Sequence, residues 1–437
     1  MNRCKQLFGR ILPLVLVLAL LAGCGSPQGE ETGAAGGAGD PTTITFWGWI
    51  PFNSEMEKIV QAFNQKHPDI KVDYQIMDWN NYWNKLTLDL NTGAGPDVFA
   101  MNYGYYAKFK DNMTELTPLA DTVIGADWKT KYKQDLLEGA YRDGELRMMP
   151  AAFGGQWYIY YNKTLMQEMG FNVPKTYEEW SSFSKLAGST AIPILFGGKE
   201  SLNNAYLYHW LVNSIQPGIV QDAAKGKTKF TDEPFVKAFA ALQKMYADGL
   251  IKESSFGIAA NPDADNLFKN RKGAAFLSGF WLTGPLLAGQ QLAGTAIEKD
   301  ELGVALMPNP LGKETIVGEI DHGWVINENS EHKEAAMKFV SELTTGESAK
   351  IWLSALFAQP VAADIAMDYG AIKTEEAKNT VGVIEDSVKN LVGPRSSGIP
   401  EIDNKTGDVI MAVLLGSMTV DEALKQIQAA YDKLPKS

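Results

Sequence analysis

The chain has 437 residues, with 52 acidic against 40 basic side chains and a formal charge of −12. A surface this acidic is a poor match for nucleic acid or anionic lipid headgroups. The cysteines are Cys4 and Cys24, both near the start, which excludes a disulfide framework, a cysteine nucleophile or a thiolate metal site in the body of the chain; a chain this long buries enough apolar surface to fold without staples.

Arg3, Lys5 and Arg10 flank an apolar run at 11–21, followed by Leu21-Ala22-Gly23-Cys24. Residues 1–23 read as a signal peptide, because roughly a dozen apolar residues fall short of the about 20 that a spanning helix needs. Leu-Ala-Gly-Cys resembles the lipobox of bacterial lipoproteins, which implies acylation at Cys24 and a stable lipid anchor to the cell membrane. Residues 24–40 are almost entirely Gly, Ala, Ser, Pro, Glu and Thr, a composition that cannot bury enough apolar area to order itself and reads as a flexible tether.

From residue 42 the pattern predicts a strand through Trp49, a helix over 54–66 with Met56, Ile59, Val60 and Phe63 on one face, a strand over 70–77, a helix over 82–90 and a strand over 96–101. This βαβαβ order predicts a largely parallel α/β sheet. After Pro150 the alternation resumes, with strands at 156–161, 192–196, 274–277, 302–307 and 323–326. Helices are predicted at 176–186, 207–215, 233–248 and 263–269, and mostly helix from residue 331 onward. No second Gly/Ser/Pro-rich linker follows the tether, so the domains expected at this length join through short packed segments.

His67, His209, His322 and His332 show no metal-ligand spacing. Gly197-Gly198-Lys199-Glu200-Ser201 lacks the spaced glycine and the Gly-Lys-Ser/Thr ending of a phosphate loop, and no Gly-x-Ser-x-Gly elbow occurs. No catalytic residue, metal or cofactor is expected. The aromatics are the informative class, at 11% of the chain with 11 tryptophans, since sugar rings stack their apolar faces on Trp and Tyr while their hydroxyls need a few polar partners. Ligands of open α/β sheets bind beyond the carboxyl ends of strands. That rule singles out Trp47 and Trp49 after the first strand, Asn102 and Tyr103 after the strand at 96–101, and Trp281 in Ser278-Gly279-Phe280-Trp281.

Several ordered motifs then resemble the extracellular solute-binding proteins of family 1, the sugar-binding group that includes maltose-binding and glycerol-phosphate-binding proteins. They are Ile44-Thr45-Phe46-Trp47-Gly48-Trp49, Gly93-Ala94-Gly95-Pro96-Asp97-Val98, Gly144-Glu145-Leu146-Arg147-Met148-Met149-Pro150 with two departures, Tyr160-Tyr161-Asn162-Lys163, the segment from Ala274 to Trp281, and Gly323-Trp324-Val325-Ile326. The resemblance covers residues 43–433. It implies an α/β, two-lobe, periplasmic-binding-protein-like fold of the class II type with a hinge. The first lobe would hold 41–150 plus about 310–345, and the second about 151–309 plus 346–437.

It also implies a substrate-binding lipoprotein that delivers a carbohydrate to the permease subunits of an ABC importer, working as a monomer outside the cytoplasm. Carried over, the sugar contacts are Trp49, Asn53, Asn102, Tyr103, Trp281 and, in a further matching stretch, Asn204 and Tyr206. Trp324 in the matching strand is a further candidate. The charged binders that some malto-oligosaccharide members carry after the Pro-Asp strand are absent. Asp321 and Arg395, polar residues in Gly- or Pro-containing segments, are candidate hydrogen-bonding partners. The competing expectations are a receptor for a non-sugar solute and an extracellular carbohydrate-active enzyme with a carboxylate of raised pKa.

Overall fold

The computed structural model describes residues 40–187 and 191–434. The leader, Cys4, the acylation expected at Cys24 and the tether up to residue 39 lie outside them. Strand β1 (Thr42–Gly48) buries Ile44 and Phe46 and turns Trp47 to the opposite face, as the two-residue period of a strand requires. Helix α1 (Asn53–Lys66) buries Met56, Ile59 and Phe63 at helical spacing. After β2 (Ile70–Ile76), helix α2 (Trp79–Asn91) begins three residues earlier than the apolar pattern predicts. The Asp78 carboxylate accepts the Asn81 N–H at 3.1 Å and caps it. Strand β3 (Val98–Asn102) is buried at every position.

Strand β4 (Met149–Gly154) runs through the point where the first lobe was expected to end. Pro150 is tolerated there because the register against its neighbour shifts between Pro150 and Ala152, and the irregularity absorbs the missing N–H. The chain continues through β5 (Trp157–Asn162), α3 (Tyr177–Ala187), β6 (Ile192–Phe196), α4 (Ser201–Ile215), α5 (Glu233–Ala247), β7 (Gly273–Gly279), β8 (Leu302–Leu306) and β9 (Glu319–Ile326). It closes with α6 (Lys333–Thr345), α7 (Glu347–Leu356), the short β10 (Gln359–Pro360), α8 (Pro400–Leu414) and α9 (Val420–Asp432). The last of these opens on a capping box between Thr419 and Glu422.

The strands form a six-stranded sheet of order β10-β4-β9-β3-β1-β2 and a four-stranded sheet of order β6-β7-β5-β8. Only part of the first is parallel: β1 pairs in parallel with β2 and β3, whereas β9 is antiparallel to both β3 and β4. The largely parallel sheet expected from the element order is thus a mixed one. The cause is the route of the chain, since β9 returns from the four-stranded sheet, enters the larger sheet at the edge where β1 and β3 end, and must run against them.

A second difference concerns residues 346–360. Helix α7 packs on α1 and α6, and β10 pairs with β4, so this stretch belongs with the six-stranded sheet and not with the four-stranded one. Two buried clusters hold the assembly together. Tyr158 and Tyr160 of β5 face the cluster that also contains Phe46, Trp324 and Trp352, while Trp157, Ile159 and Tyr161 face the one around α3, α4, α5 and α8. Helix α4 lies between α5 and α8 and is buried almost all round from Leu207 to Ser214.

Candidate functional site

Strand directions bring several ends to one edge. In the larger sheet β1, β3 and β4 finish where β9 begins, which gathers Trp49, Asn102, Tyr103, Gly154, Glu319 and Asp321. The smaller sheet meets this edge because β4 passes into β5 through Gly155 and Gln156 alone, so the end of β7 and its Phe280-Trp281 extension, antiparallel to β5, arrive at the same place. The approach is close. A methyl group built on Gly154 would fall 2.5 Å from the Phe280 ring and 2.9 Å from Asp321 Cβ, and one on Gly104 would fall 4.0 Å from the Tyr206 hydroxyl.

On the six-stranded side stands a wall of aromatic rings. Trp49 packs edge-on against Trp79 at 4.9 Å and Tyr82 at 5.1 Å, and Trp83 stacks on Tyr105 at 3.9 Å with the rings 8° from parallel. Tyr82 and Trp83 are buried, but Trp49 is only half-buried and Trp79 retains 38% of its surface. Sequence reasoning missed Trp79, which stands three residues past the end of β2 at the first position of α2, whereas Trp49 immediately follows β1. Trp47 points the other way, to the face covered by α2, with Lys85 Nζ 4.1 Å from its ring centre. Asn53 is exposed at the start of α1.

Asn102 is buried and uses both ends of its amide inside the protein, donating to Asp321 O at 3.0 Å and accepting from Gly104 N–H at 3.0 Å. It therefore positions Asp321 and the 103–105 turn. Tyr103 donates its hydroxyl to Gly139 O at 3.3 Å, and its ring lies between the Arg142 guanidinium at 4.2 Å and the Tyr106 ring at 6.1 Å. Arg142, whose pKa is lowered by burial although Glu319 opposes the shift, is a cation at this edge that sequence reasoning did not find.

Opposite, Asn204 is buried and donates to Gly198 O at 2.9 Å, which ties the start of α4 to the loop after β6. Tyr206 is half-buried, edge-on to Trp157 at 6.3 Å. Trp281, also half-buried, folds back over Gly279: a Cβ there would lie 2.0 Å from the indole, so only glycine fits. Trp324 is a correction to the candidate set. It is wholly buried among Phe46, His322 and Trp352 at 5.6 to 5.7 Å, and it has no surface left to offer a solute.

Between the two sides lies a buried ion cluster. Arg395 donates Nε to Glu319 Oε1 at 3.0 Å and a terminal nitrogen to Asp321 Oδ1, and its guanidinium covers the Tyr206 ring at 4.7 Å. Its loop is clamped from the smaller sheet's helices. The Asp403 carboxylate of α8 accepts the Ser396 hydroxyl at 2.5 Å and the Ser397 N–H at 2.9 Å, and His209 Nδ1 lies 3.0 Å from Arg395 O. Burial pushes Glu319 up to about 7, with Asp321 and Asp403 adding to the effect and Arg395 opposing it. Burial also works against ionisation of Asp321, but Arg395 and His322 outweigh it and hold the carboxyl below its usual range. One guanidinium serves two carboxylates, and Asp321 has the stronger claim on it. Glu319 gave no signal in the sequence, because its partner is 76 residues away.

Among the described residues no group of three or more His, Cys, Asp or Glu side chains is disposed to hold a metal ion, and no helix is long and apolar enough to cross a membrane.

Two sheets that meet edge to edge, with aromatic rings on one side and a buried charge cluster between them, define a two-lobed binding protein. The solved structure of a chitin oligosaccharide binding protein superposes with a TM-score of 0.70 at 20% identity, covering 90% of this chain and 99% of that one. The profile of the bacterial extracellular solute-binding proteins matches residues 49–350, and the chain belongs to that family. Among its relatives are the galactooligosaccharide-binding protein of Bacillus subtilis, 24% identical over 93% of this chain and 92% of the relative, and the diacetylchitobiose binding protein DasA of Streptomyces coelicolor, 27% identical over 69% and 68%.

Proposed function

We propose that this protein is the substrate-binding lipoprotein of an ABC-type importer, anchored through Cys24, and that it captures a carbohydrate between its lobes and presents it to the permease. The observation that carries this reading is the pairing of ring faces and edges at Trp49, Trp79 and Trp281 with the directional groups of Arg142, Glu319, Asp321 and Arg395. Apolar sugar faces need the first set and hydroxyls need the second. Residues 41–154 with 319–363 form one lobe, where 361–363 pair with 131–133, most of the intervening and following residues form the other, and a ligand touching both stabilises closure by its differential affinity for the closed state.

An enzyme that cleaves glycans would also place a carboxyl of raised pKa beside an ionised one. Here both carboxylates lie on one strand and share one guanidinium, an arrangement suited to holding hydroxyls and not to flanking a bond from two sides. Isothermal titration calorimetry against diacetylchitobiose, galactobiose, maltose and their longer homologues, with amino acids and polyamines as controls, tests the proposal. Saturable one-site binding of a sugar recovered unchanged is expected. Binding confined to the controls removes the carbohydrate assignment, and conversion of a glycan replaces the receptor with an enzyme.

A further inference from the structure

Glu319 and Asp321 stand two positions apart on β9 and project from the same face. Asp321 has partners on both oxygens, with Arg395 on Oδ1 and His322 Nδ1 3.1 Å from Oδ2. Glu319 has Arg395 on Oε1 alone. Its Oε2 has no hydrogen-bond partner among the described residues, and the side chain keeps 12% of its surface where the two sheets meet. The charged and titratable groups around it are Arg395 from the 391–399 loop, Asp321 on its own strand, Asp403 from α8, Tyr206 from α4 and Arg142 from the turn before β4. Arg395 is the cation in contact with it, and that cation is shared.

We propose that Glu319 is a specificity-determining residue of the sugar site, binding an uncharged sugar at Oε2 together with one proton drawn from solvent. This rests on the carbohydrate reading above. The geometry supplies the reason: a sugar seated on Oε2 covers the part of this carboxyl that solvent still reaches and brings no positive charge, and a sugar oxygen that accepts the Oε2–H favours the protonated form, so ionisation becomes less favourable in the complex than in the free protein. The free carboxyl is already poised at about 7 by burial, and the complex holds it higher. A group whose pKa rises on binding strengthens binding fully below its free value, and that advantage is lost as pH climbs through the bound value. Neutral sugars are therefore held most tightly on the acid side of neutrality and released toward alkaline pH.

The test uses purified protein and whichever of diacetylchitobiose, galactobiose and maltose it binds. Titrations at pH 7 in phosphate and in Tris, whose ionisation enthalpies differ, read proton uptake directly; about half a proton per sugar is expected. Affinity is expected to fall about tenfold between pH 6 and pH 8 where only the protonated form binds. Glu319→Gln, which fixes the side chain in an uncharged form, is expected to abolish both the uptake and the pH slope, so that whatever affinity the variant shows is the same at pH 6 and pH 8. Equal heats in the two buffers with the wild-type protein, or uptake that persists in E319Q, overturns this inference and leaves the receptor reading intact. Failure of every sugar to bind at any pH removes both.

Discussion

Arg395→Met tests the buried cluster in isolation from any ligand. The change keeps an unbranched side chain over Tyr206 but removes a cation that donates to two carboxylates. Hydrogen bonds to charged groups contribute about 1.5–3 kcal/mol each, which sets an upper range of about 3–6 kcal/mol. Glu319, about half protonated at pH 7 already, escapes most of its share by taking up a proton once Arg395 no longer opposes burial. Asp321 is left as a buried charge with His322 as its remaining side-chain partner, and a loss of about 3 kcal/mol is expected at pH 8.

The pH dependence has a defined sign. In the wild type the Asp321 pKa is depressed, so its stabilising effect is present above the unfolded carboxylate range and lost as pH falls below it. In the variant burial acts unopposed by Arg395, Asp321 protonates more readily, and the deficit relative to wild type shrinks between pH 8 and pH 5. Urea unfolding of ligand-free protein at both pH values measures this. A deficit below about 0.5 kcal/mol at pH 8, or one that does not change with pH, would refute the claim that Arg395 neutralises a buried carboxylate here, since exposed pairs behave in that way.

Trp79→Ala is expected to weaken sugar affinity by about 1–3 kcal/mol with little change in thermal midpoint, because the ring is substantially exposed; calorimetry and thermal unfolding separate the two effects, and an unchanged affinity removes Trp79 from the site. Trp324→Ala should behave in the opposite way, losing about 3–5 kcal/mol of stability while the protein that remains folded binds sugar with wild-type affinity. Gly279→Ala drives a methyl into the Trp281 indole, so its loss of sugar affinity should match that of Trp281→Ala; retained affinity in either variant would place Trp281 outside the contact surface.

Local periodicity made most of the elements legible. The stretch at 192–196 predicts β6 to the residue, and the Met56, Ile59, Phe63 spacing gives α1. What stayed hidden depends on distant partners. Strand β4 contains a proline and exists because β9 pairs with it, and the two residues of β10 carry no period at all. The same limit governs the site. A strand-end rule reaches Trp49 and Trp281 because it needs only local order, yet Trp324 satisfies a similar local pattern and faces the core. The difference is that β9 is paired on both sides, by β3 and β4, and Phe46 and Trp352 close over the Trp324 ring. Arg142, Glu319 and the clamp on Arg395 come together through tertiary folding, and nothing in their immediate neighbours announces it.

The position of β9 between β3 and β4 fixes an order of events during synthesis. When the chain has been made as far as Gly154, β3 and β4 each present an unpaired edge to a gap that only residues 319–326 can fill. The four-stranded sheet is contained within 157–306 and can pair its strands first. Until β9 emerges, β3 therefore stays open on one edge and β4 on both, since β10 is later still, a form prone to pairing with other chains. The last quarter of the chain closes that window as it is made.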